Sequence, residues 1–411
     1  MALTQALRWL LLAVESALAV PVAYLVVVTL SALLAARRRA RMPPAAADPL
    51  AAADPVCLPR IAVLVPAHDE ELLIGRLLDS LARLTYPHAR HAVYVVADNC
   101  SDRTAAIVRA TGWAHVYERH DTARRGKGYA LQDLFSQLET AGSVYDAYVI
   151  VDADAVVDAR YLDHLAAAIL RGARALQGQN TVLNTLDTPS TVLRWLALTL
   201  MNHVRPLGRN GLGASATLTG NGMCLTRDLL RAHPWQAHGA TEDYQYYLSL
   251  VTAGERVCYV PEAVVRSEMP ATFAQMRTQD VRWESQAPEQ RRAGAAWALL
   301  AGALRGRDPV RFDALLELIA PPLSPLLAAV LACAVAGALL QSPLAFVGGA
   351  LLSLGVACYV GSALYLLRPP PAAYRALLHA PRFIAWKLWV LLALRRKHSR
   401  SGAWVRTTRV A

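Results

Sequence analysis

Lysine is nearly missing from this chain. Among 411 residues only Lys127, Lys387 and Lys397 carry an ammonium, and every other permanent positive charge is an arginine. Charge as a whole is sparse, 18% of residues against 55% hydrophobic, where a soluble protein carries about a quarter. A single uniformly soluble core is thereby excluded, because the apolar excess gathers at the two ends. Cysteine is thin as well: six residues lie scattered, without paired spacing. That excludes a disulfide framework or a cysteine-held zinc and suits a reducing compartment. The net charge of +11 does not indicate nucleic acid, since the arginines form no aromatic-interleaved patch. They flank the apolar segments instead, from Arg37 to Arg41, at Arg291-Arg292 and from Arg395 to Arg400, where anionic headgroups of membrane lipids attract them.

Residues 9–34 are uncharged apart from Glu15. At about 1.5 Å per residue such a helix crosses a hydrocarbon core of about 30 Å. The run is too long for a signal-peptide core, and its basic cluster follows it rather than precedes it. Residues 1–41 therefore read as an N-terminal transmembrane anchor whose C-terminal end is cytosolic. Residues 42–59, rich in Pro, Ala and Asp, read as a linker. Further spans are expected from Leu318 to Leu340 and from Leu344 to Leu367. Phe383 to Leu394 is about half a span and contains Lys387, which suits an interfacial or re-entrant helix. The expectation is an inner-membrane protein with three crossings. A soluble domain at 60–290 lies in the cytosol, and residues 291–411 supply interface helices, two spans and a basic cytosolic tail.

Inside 60–290, apolar runs alternate with helical patterns. Ile61 to Val65 reads as a buried strand, followed by a helix with Leu73, Leu77, Leu81 and Leu84 on one face. Val93 to Ala97 is a second strand, ending at Asp98. Ser101 to Ala110 suits a short helix capped by Ser101. Another strand is expected near Ala114 to Tyr117, a helix after Gly128, and a strand from Ala147 to Val151 that runs into Asp152. This alternation predicts an α/β, doubly wound, mostly parallel sheet. Such sheets bind ligands beyond the carboxyl ends of their strands, where Asp98 and Asp152 both fall.

Several clusters offer chemistry. Asp152 and Asp154 sit two apart, so on an extended chain both carboxylates point the same way; a hard divalent cation takes such oxygens together with a diphosphate. The bland alternative is a pair of solvated loop acids. Asp69, Glu70 and Glu71 follow the first strand; an acid here either hydrogen-bonds a nucleoside or caps a helix. In Arg125-Gly126-Lys127-Gly128 the glycines let backbone approach an anion at a helix N-terminus, and Lys127 is the only lysine of the soluble domain. Thr241-Glu242-Asp243 opens a helical stretch, which makes Asp243 either a general base or ordinary N-terminal helix chemistry. Gln279, Arg282 and Trp283 share one helical face, with Arg suited to a diphosphate and Trp to a sugar face; a membrane-interface anchor is the alternative.

In chain order the motifs are Val65-Pro66-Ala67-His68-Asp69-Glu70-Glu71, Asp98, Asp152-Ala153-Asp154, Thr241-Glu242-Asp243 and Gln279-Asp280-Val281-Arg282-Trp283. Together they resemble the membrane-bound family 2 glycosyltransferases of the GT-A fold, the group of cellulose, hyaluronan and poly-N-acetylglucosamine synthases and ceramide glucosyltransferase. Gly220-Asn221-Gly222 resembles that family's acceptor-side loop more loosely. The resemblance implies that Glu70 and Asp98 contact the nucleoside; Lys127, from its own place at the glycine-flanked helix start, is expected to bind the nucleotide sugar with them. Asp152 and Asp154 would hold Mg2+ or Mn2+ with its diphosphate. Asp243 would be the catalytic base, with Glu242 beside it, and Gln279, Arg282 and Trp283 would hold the diphosphate and acceptor. It further implies transfer, with inversion, from UDP-N-acetylglucosamine or UDP-glucose to a growing polysaccharide through β-linkages, with a polysaccharide-export subunit as partner. The alternatives are a single-transfer enzyme acting on a ceramide- or polyprenyl-type lipid, and an inactive membrane binding protein.

Overall fold

The computed structural model describes residues 2–41, 50, 54–142, 144–239, 241–269 and 293–396. It opens with one unbroken helix, α1 (Ala2–Ala40), whose last turn carries Arg37, Arg38 and Arg39. Strands and helices then alternate as β1 (Ile61–Ala67), α2 (Ile74–Leu81), β2 (His91–Asp98), α3 (Thr104–Ala110), β3 (His115–Arg119), α4 (Lys127–Thr140) and β4 (Ala147–Ile150). Of the expected leucine face, Leu77 and Leu81 are buried on α2, whereas half-buried Leu73 is its N-cap residue and buried Leu84 lies past its end; Ile74 takes the first buried position instead. Ser101, however, does not cap α3. Asp102 Oδ1 accepts the Thr104 amide at 2.9 Å, while Ser101 donates its own amide to Asp69. An aspartate two residues before the helix reaches that amide without bending the loop.

The second half is less regular. It comprises β5 (Ala155–Val157), α5 (Tyr161–Leu170) and β6 (Ala175–Val182), then α6 (Pro189–Thr199), a π turn (Leu200–Val204) and α7 (Arg205–Gly211). After these come β7 (Met223–Thr226), α8 (Arg227–Ala232), α9 (Glu242–Ala253) and β8 (Val257–Ser267). The strands form one sheet in the order β3-β2-β1-β4-β7-β6-β8-β5. Four neighbouring pairs are parallel, β3/β2, β2/β1, β1/β4 and β6/β8; the other three are antiparallel. The carboxyl ends of β1 to β4 therefore share one edge.

The two faces of the sheet pack differently. Ile61, Val63 and Val65 point to a core built with α2 and α5, whereas Ala62 and Leu64 point to the opposite one. This second core does not stop at the sheet: it includes Leu131 and Leu134 of α4, Tyr247 and Leu250 of α9, and Val22, Leu25 and Val28 of α1.

The C-terminal helices are α10 (Ala293–Gly306), α11 (Pro309–Ile319), α12 (Leu323–Leu339), α13 (Pro343–Leu367), α14 (Pro371–Ala376) and α15 (Ala380–Arg396). Among the described residues α1 and α13 are each long and apolar enough to cross a membrane. The span expected from Leu318 to Leu340 is different: α11 and α12 meet at a 73° bend, so a third crossing exists only if the bent pair acts as one. Pro321 and Pro322 lie at the break, where proline removes amide donors and bars helical backbone from the residue before it.

Small residues bring these helices together. A methyl group added at Gly349 would lie 2.5 Å from Ala334 N, and one at Gly337 2.5 Å from Phe346 N, so α12 and α13 touch backbone to backbone. Helix α1 meets α7 the same way: a methyl at Gly208 would lie 2.1 Å from the Val28 carbonyl oxygen, and Ser31 Oγ donates to Gly208 O at 2.8 Å. Gly208→Leu is expected to lower the thermal midpoint of the detergent-solubilised protein by several degrees, corresponding to overpacking of about 1–3 kcal/mol. Gly361→Ala, at a position with nothing within 4 Å of the added carbon, is expected to leave it unchanged.

Candidate active site

The chain leaves each parallel strand at the common edge with a polar residue. Past β1, Asp69 takes a left-handed backbone with φ 53, and past β2 Asn99 does so with φ 51. These turns lock the two loops together. Asp69 Oδ1 accepts the Ser101 amide at 2.7 Å, Asp102 Oδ2 accepts the Glu71 amide at 3.0 Å, and the Glu70 amide donates to Thr104 Oγ1 at 2.8 Å. Half-buried Glu70 is held by its backbone at this junction.

Asp98 ends β2 and is buried. Its Oδ1 receives Arg119 Nη1 at 2.7 Å, and its Oδ2 receives the Gly126 amide at 3.3 Å. Arg119, itself 2% exposed, also holds Asp133 at 2.6 Å and Asp121 at 3.3 Å. Asp98 thus anchors the glycine turn from which α4 starts.

Lys127 is the first residue of α4, after Gly126 with φ 111. Its Nζ donates to Asp152 Oδ1 at 2.5 Å and to the Gly220 carbonyl at 2.5 Å, and lies 3.8 Å from Glu242 Oε1. Burial works against its charge, but the carboxylates of Asp152 and Glu242 outweigh that and raise its pKa. Gly128, one residue on, lets the chain before α9 lie against α4. Trp235 Nε1 donates to Gly128 O at 3.1 Å, and a methyl at Gly128 would fall 2.3 Å from the Ala237 carbonyl oxygen.

Asp152 and Asp154 occupy a tight turn between β4 and β5, closed by the Ala155 amide on Asp152 O at 3.1 Å. The extended geometry expected for the pair is replaced by this turn. Ala153 is buried between two half-exposed acids, of which Asp152 accepts Lys127 Nζ at Oδ1. The Asp152 amide donates to Asn221 Oδ1 at 3.1 Å, and Asn221 Nδ2 donates to Ser267 Oγ at 2.9 Å. Gly220 and Gly222, each with φ 76, give the loop a curvature that side-chain-bearing residues rarely adopt. A methyl at Gly220 would stand 2.9 Å from Asp243 Oδ2 and 3.5 Å from Lys127 Nζ.

Glu242 and Asp243 form the first turn of α9. The Thr241 side chain makes no capping hydrogen bond, but Asp243 Oδ1 accepts the Tyr244 amide at 2.8 Å, so this acid serves the first turn of the helix as well as facing the Gly220 loop. Burial first, then the Glu242 carboxylate beside it, pushes the Asp243 carboxyl up to about 7 against the opposing pull of Lys127. Asp152, Lys127, Glu242 and Asp243 therefore converge on one patch at the carboxyl edge, with Asp154 on the same turn as Asp152. Gln279, Arg282 and Trp283 lie outside the described residues.

Residues 59–285 match the family described as "Glycosyltransferase like family 2". The chain belongs to that family. The transferase is 27% identical over 234 residues to a probable glycosyltransferase, YdaM, of Bacillus subtilis, covering 55% of this chain and 54% of that one. It is 28% identical over 265 residues to a beta-monoglucosyldiacylglycerol synthase of Synechocystis sp., covering 61% and 53%. The chain thus spans about half the length of these curated relatives. In fold it is similar to a Pyrobaculum calidifontis mannosyltransferase solved with GDP-Man and Mn2+, with a TM-score of 0.50, 21% identity and coverage of 87% of this chain and 99% of that one.

The donor set of the transferase fits a hard divalent cation at Asp152 and Asp154. Two half-exposed carboxylates leave coordination positions for diphosphate and water, the usual arrangement for magnesium. One further group among the described residues, Asp69, Cys100 and Asp102, has metal-like spacing. Its oxygens already accept loop amides, and burial pushes the Cys100 thiol up to about 11, so it braces the loops instead.

Three contributors escape the sequence reading. Gln177 accepts the Thr219 amide at 2.9 Å and donates to Asn221 O at 2.8 Å. Asn221 was legible only as part of a Gly-Asn-Gly loop, and Arg119 carried no signal beyond being an arginine. Asn221→Ala is expected to lower kcat about 10- to 100-fold, as loss of an orienting partner does. The thermal midpoint should stay close to that of the parent; steady-state kinetics beside a melting curve checks both.

Proposed function

We propose that this chain moves a hexose, with inversion, from UDP-glucose or UDP-N-acetylglucosamine to the hydroxyl of a membrane lipid. The observation that carries the reading is Lys127, held between Asp152 and the Gly220 carbonyl with Glu242 and Asp243 at its side. Asp243 takes the proton from the acceptor hydroxyl as that oxygen bonds to the anomeric carbon. The bond from this carbon to the diphosphate oxygen breaks, and the nucleoside diphosphate leaves with the electron pair. A single displacement inverts the centre and turns an α-linked donor into a β-linked product. Lys127 and the N-terminus of α4 face the developing negative charge. Asp152 and Asp154 would hold Mg2+ or Mn2+, which when bound spreads the charge of the diphosphate. Glu70 and Asp98 sit with the nucleoside, and Gln279, Arg282 and Trp283 act on the diphosphate and acceptor.

A lipid acceptor is supported over a growing polysaccharide by the relatives named for a glucosyldiacylglycerol product. A lipid product asks for no export subunit. The basic last turn of α1 supports a cytosolic position for the sheet.

Full-length protein in lipid nanodiscs, given radiolabelled UDP-glucose or UDP-N-acetylglucosamine with Mg2+ or Mn2+, is expected to yield one solvent-extractable glycolipid. A ladder of polymer would favour the polysaccharide reading, and no turnover of either donor would count against transfer. Asp243→Asn is expected to cut turnover by about 10²–10⁴-fold while donor binding, followed by calorimetry, persists. Because a base acts when deprotonated, kcat is expected to fall as pH drops through about 7, the value to which Asp243 is raised, and to plateau above it. A rate flat from pH 5.5 to 8.5 would remove Asp243 from that role.

A further inference from the structure

Behind the catalytic patch lies a buried network of charges that the reaction does not touch. Its centre is Arg209 of α7, 1% exposed. Arg209 Nε donates to Asp313 Oδ2 at 2.8 Å, Nη1 to Thr217 Oγ1 at 2.7 Å, and Nη2 to the Tyr247 hydroxyl at 2.8 Å. One turn earlier, Arg205 donates to Glu317 Oε1 at 2.9 Å and to the Tyr359 hydroxyl at 2.8 Å. The Tyr24 hydroxyl of α1 closes the group on Asp313 at 3.0 Å and Glu317 at 3.2 Å.

Two of the partners lead straight to the site. Tyr247 stands four residues after Asp243 on α9, one helical turn and about 6 Å along the axis. Thr217 stands three residues before Gly220, whose Cα faces Asp243 Oδ2 and whose carbonyl holds Lys127. The other partners belong to α1, α11 and α13. The Arg209 guanidinium therefore ties the helix that carries Asp243 and the loop that faces it directly to Asp313 of α11, and Tyr24 and Arg205 extend the network to α1 and α13. Its planar fork fixes direction as well as distance. An apolar contact at the same place would let α9 rotate or slide.

We infer that Arg209, through Tyr247 and Thr217, is a positioning residue that sets Asp243 against the Gly220 loop and transmits the placement of α1, α11 and α13 to the reacting centre. The inference rests on Asp243 being the base. Displacements of about 1 Å at a reacting group cost up to 10²-fold in rate, so loss of one arm of the fork acts on kcat rather than on donor affinity.

The test uses the full chain in nanodiscs with UDP-glucose and diacylglycerol. Tyr247→Phe and Thr217→Val each remove one acceptor of the fork at nearly constant volume. Each is expected to lower kcat about tenfold while the donor KM and thermal midpoint stay at parent values, and Thr217→Ser, which restores a hydroxyl, is expected to recover the rate. Amide exchange in the peptide holding Glu242 to Tyr247 should quicken in the two impaired variants independently of turnover. An unchanged kcat, a loss matched by a lower midpoint or a raised KM, no recovery with serine, or unaltered exchange would each overturn the inference. Asp243→Asn run alongside separates the two claims. Full turnover in that variant removes the base, and the positioning role falls with it. Silence in that variant beside full turnover in Tyr247→Phe leaves the base standing and removes the positioning role.

Discussion

The site is governed by the repulsion of like charges. Asp152, Glu242 and Asp243 crowd together at the carboxyl edge, where two carboxylates about 4 Å apart repel by about 4 kcal/mol at an effective dielectric of 20. One ammonium, Lys127, lies among them and makes the arrangement tolerable. A compact point charge suits this place better than a guanidinium, whose fork demands a planar partner. The rest follows from delivering that ammonium: Arg119 and Asp98 hold the turn before it, Gly126 and Gly128 free the backbone around it, and the Gly220 carbonyl receives it from the far side.

How much of this was legible in the sequence differs by level. The first half of the sheet was plain, because Ile61 to Val65, Val93 to Ala97 and Ala147 to Val151 are apolar runs broken by helical periodicity. The second half was not. β6 contains Gln177, Gly178 and Gln179, and β5 is three residues long, so neither carries a pattern that distinguishes it from a loop. The acids of the site were visible because each falls at a motif position, and Lys127 because lysine is otherwise missing there. Asn221 was legible only as the middle of a Gly-Asn-Gly loop, and Gln177 was hidden for a physical reason. Gln177 acts through a backbone amide and carbonyl of residues distant in sequence, and such partners leave no spacing to read. The run from Leu318 to Leu340 read as one span, and the 73° break at Pro321-Pro322 was missed because apolar length alone does not report a bend.

The helices long and apolar enough to cross a membrane are not simply a tether. An anchor that only holds a domain at a surface needs no packing with it, yet α1 shares a hydrophobic core with the face of the sheet that also packs α4 and α9. Gly208 and Gly211 of α7 admit α1 to backbone distance. The boundary near residue 41 that composition marks is thus one of solvent, not of folding unit.

That packing bears on how the protein is made. Tyr24 waits for a partner 289 residues later in the chain, Arg209 for one 104 residues later, and Arg8 for the Leu340 carbonyl 332 residues later. At roughly 5–20 residues per second, a ribosome leaves Arg209 without Asp313 for on the order of 5–20 seconds. The sheet is complete in sequence only at the end of β8, Ser267, and even then Arg209 still waits for Asp313. The nascent chain therefore stays immature until its last third arrives, and the core behind the site closes only after α11, α12 and α13 have been made.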